Sequence, residues 1–270
     1  MKRFWTAIAL IAAILWSLGP FLWQVVTSVK PDNELALLPP LLPSAPTLDH
    51  YRIVVNGTPF LRFMANSMVV AFCSTLLSVA IGAPAAFGLA KLRVRWKGLI
   101  LLFILSASMF PPIATVSPLY LIMTALRLRD TLPALIITYT SLSLPLCVWI
   151  VTNFFRRVPD EILFAARVDG CSPLQAFWHI MLPVAAPGIF TAALLVFIFS
   201  WNEFLFALTF TATPASRTIP VAIALFPGVH EVPWGEIAAA SILATLPLIL
   251  LVVVFQRRIV EGLTAGAVKG

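Results

Sequence analysis

The chain has 270 residues, 60% of them apolar and 11% charged, with a formal net charge of +7 at pH 7. A water-soluble domain needs far more surface charge, so composition argues against a soluble enzyme. The basic residues cluster at the ends of apolar runs rather than along one face, which argues against a nucleic-acid-binding module and for membrane anchoring.

A hydrocarbon layer of about 30 Å takes roughly 20 helical residues to cross, and the sequence predicts six such spans. Lys2 and Arg3 precede the first, 5–28, which is too long for a signal core and has no small-residue cleavage site after it. Gly19-Pro20 is expected to bend it. Residues 30–62 form a proline-rich loop with a short surface helix capped by Thr47. The second span, 63–89, has a small-sided later half (Gly82, Ala83, Ala85, Ala86, Gly88), which permits close helix contact in a bilayer. A basic turn with Lys91, Arg93, Arg95 and Lys97 leads into the third span, 98–117, which contains Pro111-Pro112. Residues 118–130 predict a short helix at the opposite surface. The fourth span, 132–154, ends at Arg156-Arg157; the fifth and sixth are 187–211 and 236–255.

Six spans place both termini on one side. Twelve of the 18 basic residues fall on that side and six on the other, so the positive-inside rule puts the termini in the cytoplasm. The expected architecture is an all-α integral membrane bundle, one domain over 1–270, without internal repeat or linker.

Residues 156–186 interrupt the apolar pattern. Asp160 and Glu161 suit the positive end of a helix dipole, and Gly170 can end that helix in the left-handed conformation. Ser172, Pro173 and Gln175 then form a capping-box pattern, followed by an apolar stripe of Leu174, Phe177, Trp178 and Met181. Two short helices outside the bilayer fit a docking surface for a partner or an interfacial pair resting on lipid; the residues alone leave both open.

The motif A-A-x-x-D-G, then S-P-x-Q-A-F and I-x-L-P, covers Ala165, Ala166, Asp169, Gly170, Ser172, Pro173, Gln175, Ala176, Phe177, Ile180, Leu182 and Pro183. It resembles the cytoplasmic coupling-helix motif of permease subunits in ATP-driven importers, in particular the second permease of maltose/trehalose-type carbohydrate importers. SWNEF at 200–204 and the ending GLTAGAVKG are similar to that group as well. Phe164 stands where the family usually has a glutamate. The resemblance implies a type I ABC importer permease bundle in a prokaryotic cytoplasmic membrane. It implies four kinds of partner: a second permease, an ATPase dimer carrying ATP and Mg, an extracytoplasmic solute-binding protein, and a sugar such as trehalose or maltose. It also places the external loop of Phe226, Pro227, Gly228, Val229 and His230 against the binding protein.

No G-x-x-x-x-G-K-[ST] loop, nucleophile elbow, H-E-x-x-H helix or paired-carboxylate site occurs in the chain. No enzyme activity, nucleic-acid partner or cofactor of its own is expected. Cys73, Cys147 and Cys171 lack metal-ligand spacing, and His50, His179 and His230 are too dispersed to propose a metal site. Glu203 is the only ionisable residue well inside a predicted span, and an intramembrane carboxylate is a functional candidate by default. With Asn202 and the Trp201 ring it offers acceptors and an aromatic face for a sugar; a structural hydrogen bond is the competing reading. Two alternatives remain, another solute or another driving force. Glycerol-3-phosphate would call for basic residues within the spans, which are missing. An ion-coupled secondary transporter would need several intramembrane charges.

Overall fold

A computed structural model of the chain describes residues 2–35, 41–226 and 232–264, and every regular element among them is helical. α1 (Lys2–Thr27) continues through Pro20 as one helix. It packs chiefly on the last helix and leaves Phe4, Trp5, Leu15 and Trp16 exposed, as a span with lipid for solvent does. α2 (Asp49–Gly57) is the short helix of the loop; its cap position is Leu48, not Thr47 as expected, although the Thr47 hydroxyl accepts from the Asp49 N–H at 3.1 Å.

The centre is built from α3 (Phe60–Lys91) and α6 (Leu132–Arg157). The small residues of α3 explain their closeness: a Cβ at Gly82 would lie 2.9 Å from Cys147 Sγ. Deep in this contact the hydroxyls of Ser78 and Ser143 share a 2.8 Å hydrogen bond, which satisfies two buried polar groups far from water. α10 (Ala186–Asn202) packs against both helices. Gly188 makes room there for the Phe154 ring, since a Cβ would stand 2.0 Å from it. α13 (Trp234–Thr264) closes the bundle against α1, α2 and α10.

The expected third span is two helices. α4 (Lys97–Ser108) and α5 (Pro112–Ala125) meet at 90°. Pro112 forces the residue before it out of the helical region; Pro111 accordingly has ψ 125°, and Pro112 starts the new helix where no amide hydrogen is needed. The expected fifth span also breaks: α10 ends at Asn202 and α11 (Leu205–Phe210) follows after a two-residue gap. Among the described residues four helices, α1, α3, α6 and α13, are long and apolar enough to cross a membrane, or six segments if each of two bent pairs counts as one span.

The connection that follows α11 carries α12 (Ile219–Ala224) and is tied down by polar side chains. The Asp130 carboxylate accepts from the N–H groups of Ala212 (2.7 Å) and Thr213 (3.0 Å), the Thr213 hydroxyl (2.7 Å) and the Ser216 hydroxyl. Asn66 donates to the carbonyls of Ala215 and Arg217, and Ser67 accepts from the Ile219 N–H.

Candidate functional site

The polar island folds as two short helices joined at a glycine turn. α7 (Asp160–Val168) starts one residue after Pro159, with Asp160 and Glu161 in its first turn. Lys91, at the end of α3, pairs with the Asp160 carboxylate and donates to the Val158 carbonyl at 2.5 Å. That ammonium, by hydrogen bond and by charge, holds the Asp160 carboxyl below the usual carboxylate range. α7 ends at Val168, with Asp169 as its cap; the Cys171 N–H returns to the Ala166 carbonyl at 2.9 Å, and Gly170 takes φ +84°, a value open to glycine at little cost.

Ser172 then opens the second helix with both halves of the capping box: its hydroxyl accepts from the Gln175 N–H (3.3 Å), and its own N–H donates to Gln175 Oε1 (2.8 Å). Pro173 occupies the first turn of α8 (Pro173–Ala176), a π turn follows over Phe177–Met181, and α9 (Leu182–Val184) ends the stretch. The expected apolar stripe divides here. Phe177 and Met181 are buried in the protein's own core, the Phe177 ring 5.3 Å from Phe87 and 6.3 Å from Phe155. Leu174 and Trp178 stay exposed, as do Phe164 and Val168 on α7. Of the paired alanines Ala166 is buried and Ala165 exposed. The pair is thus fastened to the bundle by one face and presents the other, with exposed Asp169, Gly170, Ser172, Pro173 and Gln175 at the joint.

The second candidate region is a cavity of about 610 Å³ whose walls include Ser108, Phe110, Ser141, Pro145, Asn202 and Glu203. Glu203 is not inside a helix. It sits in the break after α10 with extended backbone, and its two oxygens accept from the first-turn N–H groups of α11, Phe206 at 2.9 Å and Ala207 at 3.2 Å. A side-chain cap of this kind satisfies donors that the interrupted helix leaves open. Asn202 faces the same cavity and donates to the Ile198 carbonyl at 2.8 Å. Trp201 is placed differently. It is 3% exposed, stacked on Phe197 at 5.9 Å, and borders a separate cavity of about 210 Å³ toward α12 and α13. Phe226 is half-buried and lines a third cavity with Phe60 and Phe63. Pro227, Gly228, Val229 and His230 lie outside the described residues.

Residues 78–264 match the family described as "Binding-protein-dependent transport system inner membrane component". The chain belongs to that family. Both candidate regions fall within the matched segment of this inner membrane component. The chain is 45% identical over 257 residues to the trehalose transport system permease protein SugB of Mycobacterium tuberculosis, covering 94% of this chain and 93% of that one. It is 42% identical to the sulfoquinovosyl glycerol transport system permease protein SmoH of Agrobacterium fabrum (94% and 89% covered). The trehalose/maltose transport system permease protein MalG of Thermococcus litoralis is 41% identical (100% and 98% covered). A bacterial ABC transporter involved in the import of the acidic polysaccharide alginate shares the fold of this component at a TM-score of 0.82 and 21% identity, covering 95% of both chains.

Two anchoring groups, Lys91 under α7 and Asp130 beside the connection after α11, were missed in the sequence. Lys91 reads as one of several anchoring basic residues, and only the fold brings it to Asp160. Asp130 carried a usable signal: a short polar residue in a tight connection between apolar helices is suited to the left-handed backbone, and its φ is +60°.

Proposed function

We propose that this inner membrane component is one of two permease subunits of an ABC importer for a neutral carbohydrate, with a disaccharide such as trehalose or maltose as the best candidate. The observation that carries the reading is the α7–α9 pair: packed to the core on one side, exposed and apolar on the other, and joined at a capped glycine turn. A rigid body of this form passes displacement from a bound motor to the bundle. In this reading an ATPase dimer, which holds the ATP and Mg, grips the exposed face of the pair at the cytoplasmic side, where both termini also lie. Closure on ATP moves the pair, the membrane helices rock, and the cavity opens outward to take sugar from an extracytoplasmic binding protein at the Phe226 loop. The chain supplies no nucleotide site of its own.

The cavity chemistry favours a neutral solute. Among its lining residues only Glu203 ionises, and Asn202, Ser108, Ser141 and Thr115 add neutral hydrogen-bonding groups. A phosphorylated solute such as glycerol phosphate would meet a carboxylate and no compensating cation there. Phe164, in place of the family's usual glutamate, makes the ATPase contact at this position apolar rather than ionic.

The test is reconstitution of both permeases, the ATPase dimer and the binding protein in vesicles. Binding protein loaded with trehalose or maltose should raise ATP hydrolysis and drive sugar uptake. Hydrolysis raised by glycerol phosphate but by neither sugar would overturn the substrate, and hydrolysis indifferent to the binding protein would overturn the importer reading.

A further inference from the structure

The loop after α1, helix α2 and the start of α13 converge on one histidine. His50 is 2% exposed. Its ring is clamped on one side by Gly235, where a Cβ would lie 2.3 Å away. Nε2 lies 2.7 Å from the Lys30 carbonyl. A carbonyl only accepts, so Nε2 carries the hydrogen and, in the neutral ring, Nδ1 presents a lone pair. That lone pair has no hydrogen-bond partner, and 3.4 Å away stands Glu236 Oε1, on a carboxylate that is itself 12% exposed. Two acceptors face each other in a mostly buried place, an arrangement that calls for positive charge between them.

A proton would draw the atoms closer, since a charge-assisted N–H···O bond spans about 2.7–2.9 Å. The 3.4 Å separation instead matches the edge between two ligands of a tetrahedral ion with bonds of about 2.0–2.1 Å, roughly 3.3 Å. The Lys30 carbonyl completes the usual outer contact of a metal-bound histidine, whose second ring nitrogen donates to a backbone carbonyl or carboxylate. Asp32 Oδ1 stands 3.9 Å from Nε2, on the other side of the ring, and ligand atoms, one from each of Asp32, His50 and Glu236, lie within 4.8 Å of one another. Asp32 is 84% exposed at the start of a short 3-10 turn (Asp32–Glu34), so its carboxylate can swing from the Nε2 side onto an ion at Nδ1. The neighbouring Lys30 ammonium sits 4.4 Å over the Trp23 ring.

We propose that His50 Nδ1, Glu236 and Asp32 form a binding site for a divalent transition-metal ion of the zinc type, with water completing the tetrahedron. It is a structural site that staples the loop after α1 and helix α2 to the first turn of α13. One histidine suffices for it, which is why the scatter of the three histidines along the sequence gives no hint of it. The proposal is independent of the substrate and of the ATPase.

The experiment is a titration of the tag-free full-length chain in detergent with Zn²⁺ and with Co²⁺. The expected result is one bound equivalent, a visible Co²⁺ absorption band, and a thermal midpoint raised by Zn²⁺ and lowered again by chelator. Glu236→Gln and His50→Gln should each weaken binding by about tenfold or more and abolish the midpoint shift, and Asp32→Asn should weaken it less. If one variant does not fold, the other carries the same comparison. Wild-type protein that binds no more Zn²⁺ or Co²⁺ than the Glu236→Gln variant overturns the proposal and leaves the pair as a proton-sharing contact.

Discussion

Glu203 meets two demands with one carboxylate. Both oxygens cap α11, and the same group is the one ionisable side chain on the cavity wall. Its replacements separate these roles. Glu203→Ala removes the cap and should cost about 1 kcal/mol of stability, whereas Glu203→Gln keeps a carbonyl acceptor and should cost less. If the charge serves sugar passage, uptake in vesicles falls in both variants while only the alanine protein melts earlier; full uptake by Glu203→Gln would make the residue a cap alone. Asp130 gives a pH signature. Burial works to raise its pKa, but the hydrogen bonds from Ser216, Ala212 and Thr213 outweigh it and hold the carboxyl well below the usual range. A depressed folded pKa adds stability above the unfolded value of about 3.9, and that stability drains away as pH falls through the folded value. Asp130→Asn tolerates the same backbone but loses this contribution, about 1 kcal/mol once solvent screening is allowed for. Thermal melts from pH 7 down to 3 should show the wild type losing its advantage over the variant below about pH 4. At this scale the sequence speaks clearly only where a rule is local. The Ser172-to-Gln175 capping box is such a case, and both of its bonds are present. Glu203 was misplaced inside a continuous helix because no proline or glycine announces the break after Asn202.

Among the elements, the tight crossing of α10 over α6 depends on one missing methyl group. Gly188→Ala would set a Cβ 2.0 Å from the Phe154 ring, and overpacking of this kind costs about 1–3 kcal/mol. Phe154→Leu in the same chain should recover part of the loss, as read by thermal unfolding of the single and double variants; a double variant no better than Gly188→Ala would show that the helices part instead of the ring yielding. Pro111-Pro112 was legible as a disturbance of the third span, but not as a 90° corner, because the angle is set by what the two halves pack against. The π turn at Phe177–Met181 explains the divided stripe: side chains follow a 3.6-residue period only while the helix does, and the wider turn shifts which of them face inward. Phe177 points to the core while Trp178, one residue on, is left outside.

For the whole molecule the hydropathy pattern and the basic residues at span ends were enough to foresee an all-helical membrane bundle, since both respond to the bilayer and not to any particular fold. Long-range pairings were not foreseeable: Lys91 with Asp160, Asn66 with the Ala215 and Arg217 carbonyls, and His50 with Glu236 each join segments that no local rule relates. The joint of the α7–α9 pair yields a prediction that only the assembled importer can report. Gly170→Ala forces a side chain into a φ of +84°, at about 1–2 kcal/mol. With ATPase and binding protein present, the sugar taken up per ATP hydrolysed should fall even where hydrolysis persists; an unchanged ratio would mean that the turn transmits nothing. One further consequence lies in the corner where this pair meets α10. The axis of the stretch Pro173–Val184 stands at 78° to α10, and Ala185, itself buried, is the single residue between them. A joint so short has no slack, so in the proposed importer the two arms would work as a bell crank: a thrust along the short arm would act across the long arm and become tilt, with Ala185 as the pivot.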